Sequence, residues 1–480
     1  MRKASINEYL FFFNTILFIN ISVSFYYCFI LNNDIGTLYT SNSSIFCIFL
    51  ASQVCFVVPL LISYKANKKV KLVLGLPILL SFFLLIYSDG RAGWIGCIVG
   101  LGYVGFSFIK YLKYKKIFLL AIIPTTLIFV AILYFYKSAS TNGRLLIYKV
   151  SATMLHNNWL FGIGHGQFKV KYNVTQAKYF STHSIDSAEA LLAGDTIFAF
   201  NDFYQCIIEY GFIGLVFLIL FFYFLYKHIK NVVVTKNNKA LFTSATASLI
   251  CILVAASFSY PLQILPIILQ GVLCLAITCS YPQTSSFMFS IPKPVSIGLK
   301  FLFVNLIILL GIHYFNLYHF KLKSEDALVL SRSGFKNQSL KLYDTLSKSY
   351  IKNGDVNYLY AEQLYYANKL NEAKTEITKT FLLNNSHLVY SLAANIENEL
   401  KNYPQAEQYY KTAIYMVPNR MVSRKNLLDF YVQQKDTPNA IFWANSILNM
   451  PIKVPSTTTE NIKNTTQKIY NALIVNKNEF

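Results

Sequence analysis

Apolar residues in this chain collect in blocks. Runs rich in Phe, Leu, Ile and Val cover 9–31, 45–64, 72–87, 92–109, 117–136, 206–226, 240–259, 262–279 and 297–315. A run of roughly 17–25 apolar residues can cross a bilayer, and only as a helix, because lipid offers the backbone no hydrogen-bond partner. The pattern therefore predicts an all-α, polytopic membrane core of about nine spans. Five lie in 1–136 and four in 206–318, separated by a polar loop at 137–205. The first run follows Arg2 and Lys3 and has no small-residue cleavage site after it, so it reads as a retained span.

Beyond about residue 318 the apolar blocks give way to a helical repeat, 319–450, and a tail, 451–480. Small residues Ser339, Ala373, Ala406 and Ala440 recur every 34 residues or so. Twelve positions earlier stand Ala327, Ala361, Ala394 and Leu428, and four later Tyr343, Ile377, Tyr410 and Ala444. Small residues where paired helices touch, with larger ones filling the gaps, resemble the tetratricopeptide pattern. The early Trp and Gly usual in that pattern are missing.

A net charge of +21 would suggest nucleic acid in a soluble protein. Here the lysines sit in short clusters between apolar runs (Lys65, Lys68, Lys69 and Lys71; Lys110, Lys113, Lys115 and Lys116; Lys227, Lys230, Lys236 and Lys239). They read as topology signals that put those turns on the cytoplasmic side, and no nucleic-acid partner is expected. Alternation then exports 32–44, the Ser88-Asp89-Gly90-Arg91 turn, the long loop, the Tyr260-Pro261 turn and, with an odd span count, the repeats. All eight cysteines lie in or beside apolar segments, so neither a disulfide framework nor a Cys-based metal site is implied.

The exported loop carries the candidate chemistry. Arg91 stands at the outer end of a span, where a charge costs at least ~2.5 kcal/mol without a partner; it reads as an interface arginine, as an ion pair with Asp89 or as an anion site. Arg144 is read as opening an amphipathic helix, a donor fork beside free N–H groups that suits phosphate. The Gly162-Ile163-Gly164-His165-Gly166 stretch follows no strand and has no Walker lysine, so close backbone packing against a helix or sugar explains it better than nucleotide binding. His156, His165 and His183 are too irregularly spaced for a metal site, and no Asp-x-Asp is present. Neither metal nor cofactor is expected. His183, Asp186, Glu189, Asp195, Asp202 and Glu209 remain acid/base candidates, and for Glu209 a structural role weighs as much as a catalytic one.

Arg144, Leu146, Tyr148, Met154, Gly162-Ile163-Gly164, Phe168 and Tyr172, followed by Asn201, Gln205, Glu209, Gly211 and Gly214, together resemble the O-antigen ligase and polymerase superfamily. The resemblance implies a glycosyltransferase of the bacterial inner membrane, with its loop and repeats periplasmic. Such an enzyme takes a glycan from undecaprenyl diphosphate and joins it to lipid A core, a polysaccharide or a protein hydroxyl, without nucleotide or metal. Mapped onto this chain, the resemblance puts Arg91 and Arg144 on the diphosphate; Gly164, Asn201 and Gln205 are the further substrate-binding candidates, and His183, Asp202 and Glu209 the catalytic candidates beside the two arginines. Ligases of this group usually carry histidine directly before the loop-exit asparagine; here Phe200 precedes Asn201. A polymerase of the same superfamily, and a non-catalytic scaffold presenting its repeats to a protein partner, stand as alternatives. A transporter is disfavoured, because apart from Asn14, Asn20 and Gln53 most spans lack deep polar residues.

Overall fold

The computed structural model describes residues 6–30, 42–109, 112–136, 138–235, 238–283, 292–349, 351–452 and 455–477. Arg2, Lys3, Lys110, Lys236 and nearly all of the exported segment 32–44 lie outside these. Helices α1 (Ile6–Phe25), α2 (Ser43–Ser63), α3 (Lys68–Tyr87), α4 (Arg91–Phe108), α5 (Leu112–Tyr136) and α6 (Ser138–Ala152) come first. In the loop lie α7 (Phe168–Thr182) and α8 (Ala188–Leu192), and then α9 (Asp202–Asn231), α10 (Lys239–Ala256), α11 (Leu265–Cys279) and α12 (Lys293–Arg332). The repeats hold α13 (Lys336–Ser347), α14 (Gly354–Tyr366), α15 (Leu370–Thr380), α16 (His387–Glu399), α17 (Tyr403–Met416), α18 (Met421–Gln433), α19 (Thr437–Asn449) and α20 (Thr457–Lys477). Among the described residues no strand forms beyond an isolated bridge between Val232 and Gln283.

Every apolar run becomes a helix, and all but the last keep within a few residues of their sequence bounds; the helix on 297–315 continues to Arg332. Among the described residues seven helices are long and apolar enough to cross a membrane, and α11 is a shorter apolar one. The 25-residue α5 occupies the remaining run. The protein is a polytopic, all-helical membrane protein.

The chain divides into two compact units. The first comprises Met1–Arg144, Asn157–Gly164 and Phe198–Phe287. Its centre is α2, α4 and α10, which pack together through small residues. A Cβ on Gly93 would lie 2.6 Å from Cys47 Sγ, and one on Gly96 2.6 Å from the Cys251 carbonyl. Backbones this close gain dispersion that bulky side chains would forfeit, the usual logic of helix packing where lipid supplies no hydrophobic drive. Asparagines start several helices: Asn42 Oδ1 accepts the Ser44 N–H at 2.9 Å, and Asn67 Oδ1 the Val70 N–H at 2.9 Å. Around this centre α3 and α9 leave most of their apolar surface, including Leu72, Val73 and Phe217, exposed as lipid-facing positions would be.

The second unit comprises Leu145–His156, His165–Ile197 and Met288–Phe480. No break separates its apolar helix from its repeats: α12 runs 40 residues, from exposed apolar positions such as Phe301 to Phe320 and Ala327 in the repeat core. Antiparallel pairs follow, α12 with α13, α14 with α15, α16 with α17 and α18 with α19. The small residues of the sequence pattern, Ala327, Ala361, Ala394, Ser339, Ala373, Ala406 and Ala440, are all 0% exposed, so the 34-residue period is a packing period.

Each pair turns in the same way. Gly334, Asn368, Lys401 and Lys435 hold positive φ (87°, 57°, 62° and 58°). The next residue's N–H reaches back five positions, Phe335 to Leu330, Lys369 to Leu364, Asn402 to Glu397 and Asp436 to Tyr431, at 2.8–2.9 Å. This is the Schellman closure, in which a left-handed residue satisfies the last carbonyls of the first helix. Only the first repeat uses glycine there.

Candidate functional site

The Arg91 end of the first unit gathers the starts of α2, α4, α9 and α11. Asn42 Nδ2 donates to Tyr260 Oη at 2.7 Å, and Asp202 Oδ2 accepts the Leu262 N–H at 2.8 Å. Tyr260 stacks on Phe198 (centroids 4.3 Å, planes 18° apart) and meets Phe200 edge-on at 5.4 Å. Helix N-termini carry partial positive charge and unspent N–H groups, so several together favour an anion.

The loop-exit motif builds the start of α9. Asn201 Oδ1 accepts the Tyr204 N–H at 3.0 Å, Gln205 Oε1 accepts the Ala199 N–H at 3.0 Å, and Gln205 Nε2 donates to Glu209 Oε1 at 3.2 Å. Asn201, Gln205 and Glu209 are four residues apart and share a helix face. Phe200, at φ 55°, makes the reversal that brings Ala199 back to Gln205. Buried and tied to Gln205, Glu209 is a structural element of this motif as the structure draws it.

The glycines of the two motif halves meet one another. Gly211 interrupts α9 at φ 62°, ψ −148°, and a Cβ there would lie 2.5 Å from Gly162 N. Gly162, at φ 71°, has the Glu209 backbone where its own Cβ would go. Backbone hydrogen bonds flank the crossing: Ile163 N–H to Ile208 O at 3.0 Å, Gly164 N–H to Glu209 O at 2.9 Å and Phe212 N–H to Trp159 O at 2.8 Å. The glycine-rich turn thus packs its backbone against a helix.

Both arginines of the sequence pattern are in this unit. Arg91 Nη2 donates to Ser140 Oγ at 2.9 Å. Ser140 is one turn before Arg144 on α6, so the two share a face. The Arg144 guanidinium lies over the Phe200 ring, 5.5 Å from its centroid. One expectation needs correcting: α6 begins at Ser138, not at Arg144. The polar 138–142 stretch reads as loop by composition yet winds as helix, so Arg144 has no free N–H groups of a helix start beside it.

The other acid/base candidates belong to the second unit. His183 is exposed, stacks on Tyr179 at 3.9 Å and pairs its Nδ1 with the Tyr179 carbonyl at 2.7 Å. Glu189 accepts Lys149 Nζ at 2.8 Å and Tyr179 Oη at 2.6 Å. Lys149 first and Tyr179 second hold its carboxyl below the usual glutamate range. Asp186 pairs with Arg424 at 2.8 Å, and Asp195 with His387.

These last two contacts belong to a dock between loop and repeats that the sequence did not disclose. Arg424, 1% exposed, also donates to the carbonyls of Ile185 and Pro418 and to Ser446 Oγ. Asn173 Nδ2 donates to Asn385 O at 2.6 Å while Asn385 Nδ2 donates to Val170 O at 2.8 Å, and Asn419 Nδ2 reaches the carbonyls of Leu191 and Ala193. Arg424 gave no signal in the sequence, since its helix MVSRKNLLDFYVQ also carries Lys425, Asn426 and Asp429. Among the described residues no group of three or more His, Cys, Asp or Glu is placed to hold a metal ion.

Residues 76–219 match a family model described as O-antigen ligase. The match covers less than a third of the chain, from within α3 into α9, and takes in Arg91, Arg144, Gly164, Asn201, Asp202, Gln205 and Glu209. Residues 76–219 of this polytopic membrane protein are therefore similar to the O-antigen ligase family. Among solved structures, the crystal structure of the yeast Tom70 is similar at 13% identity over 98% of this chain and 97% of that one, with a TM-score of 0.29, which is too low to carry a structural argument. No curated protein sequence matches the chain.

Proposed function

We propose that the protein is an inverting membrane glycosyltransferase that moves a glycan from undecaprenyl diphosphate to an acceptor hydroxyl on the exported face of a bacterial inner membrane. One observation carries the reading: Arg91 bonds to Ser140, one helical turn from Arg144, beside the starts of α4 and α9. Two guanidinium groups there would hold a diphosphate, each contributing on the order of 4 kcal/mol at an effective dielectric near 20, before desolvation is subtracted. The acceptor oxygen attacks the anomeric carbon, the bond to the diphosphate oxygen breaks with inversion, and the diphosphate leaves with the electron pair. The acceptor proton passes to a carboxylate or to the departing diphosphate. Asp202, the first residue of α9, is the candidate carboxylate: its Oδ2 accepts the Leu262 N–H while its Oδ1 has no hydrogen-bond partner.

Lipid A core, a polysaccharide and a protein hydroxyl all meet the acceptor's chemical requirement. A glycan profile of a deletion strain tests the proposal. Loss of long chains from lipid A with carrier-linked polymer retained identifies a ligase, and single-unit glycans on lipid A identify a polymerase. Unchanged glycans on lipid, polysaccharide and protein would overturn the reading.

A further inference from the structure

Within the second unit, α7 and the repeats enclose an open cavity of about 470 Å³ that the transfer chemistry does not use. This is within the usual size of a small-molecule site. One wall is aromatic: Phe381, Tyr390 and Tyr409, all partly exposed, have ring centroids 4.9–5.7 Å apart. The facing rim is cationic. Lys171 and Lys178 stand seven residues apart on α7, with Thr175 between them, and both are exposed. No carboxylate lines the cavity, and Glu397, the acidic group that acts on Tyr409, is already paired with Lys374 at 2.9 Å.

Asn385 also contributes to the wall and is 6% exposed. Its Nδ2 is engaged by the carbonyls of Val170 and Phe381, while its Oδ1 has no hydrogen-bond partner. A buried acceptor left in that state costs about 1–3 kcal/mol, and with under 1 Å² of its surface open it belongs to the wall rather than to the ligand face. Aromatic faces suit the C–H faces of sugar rings, and two exposed lysines on one rim suit a carboxylate.

We propose that this cavity binds an acidic oligosaccharide, with sugar rings on Phe381, Tyr390 and Tyr409 and a carboxylate beside Lys171 and Lys178. The choice of a saccharide rests on the glycan-transfer reading. The cavity would then hold an already built stretch of acidic glycan away from the arginines.

Saturation-transfer NMR and calorimetry on the full chain in nanodiscs test this, with tetragalacturonate as probe and maltotetraose and tetraglutamate as comparisons. Tetragalacturonate is expected to bind, with saturation reaching its ring C–H protons. Its affinity should fall at least fivefold in Lys178→Glu and in Tyr409→Leu, and should fall with added salt. Lys178→Glu changes an exposed side chain, so it decides the matter even where Tyr409→Leu fails to fold. No binding, equal binding by Lys178→Glu, or equally tight binding of maltotetraose or tetraglutamate would overturn the proposal. Measured in Arg144→Ala, the same binding separates the two readings: saccharide bound without transfer is expected, and saccharide unbound while the wild type transfers glycan rejects the cavity alone.

Discussion

The Arg144 guanidinium lies over the face of Phe200, 5.5 Å from the ring centroid, and Phe200 in turn meets Tyr260 edge-on. An aromatic face attracts a cation by roughly 0.5–2 kcal/mol, so the phenyl ring orients the arginine. Phe200→Tyr should keep glycan transfer near the wild-type rate. Phe200→Leu should lower it by roughly threefold to thirtyfold with insertion unchanged, read as transfer rate in washed membranes at matched protein level.

Gly211 and Gly162 tolerate no side chain. Gly211→Ala would place a Cβ 2.5 Å from a backbone nitrogen at a φ of 62° and ψ of −148°. Strain and overpacking together should cost about 3 kcal/mol or more. Thermal unfolding in detergent should show a strongly lowered midpoint or no folded protein, and a midpoint like the wild type's would contradict the crossing of the two segments.

Arg424 holds the loop to the repeats. Arg424→Ala leaves the carbonyls of Ile185 and Pro418 without their donor, at a cost of about 2–4 kcal/mol. Asp186 is more than half exposed and rehydrates at little cost. Hydrogen exchange should therefore rise over 183–196 in this variant. Lysine should not rescue it, because an ammonium cannot span the acceptors that the guanidinium fork reaches.

At the turn between α16 and α17, Lys401 holds a left-handed conformation that glycine adopts freely. Lys401→Gly should stabilise the repeats by about 1 kcal/mol, seen as a higher unfolding midpoint of the full chain. Lys401→Val should lower it.

How much of this was legible depended on the range of the interaction. Helix positions followed from apolar runs because a membrane span is a local property, and Ala361 and Ala373 betrayed their pairing through a repeated spacing. The continuity of α12 was not read, because the boundary near 318 followed the loss of apolar residues, although neither Gly nor Pro occurs between Gly311 and Gly334. The start of α6 was not, because Ser138, Ser140 and Thr141 have the composition of a loop. Nor was the dock between loop and repeats: Asn173 and Asn385 are 212 residues apart, Asp186 and Arg424 238, and no periodicity links such partners. The two arginines stood out in the sequence as charges near span ends, whereas Ser140, which bonds Arg91 one turn before Arg144, carried no signal of its own.

The central claim is that Arg91 and Arg144 together hold the leaving diphosphate. Its most direct test is single-turnover transfer in proteoliposomes loaded with carrier-linked glycan and acceptor, comparing wild type, Arg91→Ala and Arg144→Ala at equal insertion. Each variant is expected to lose roughly 100-fold or more in rate, the scale of removing a group that stabilises developing charge. Wild-type rates in both folded, inserted variants would contradict the account.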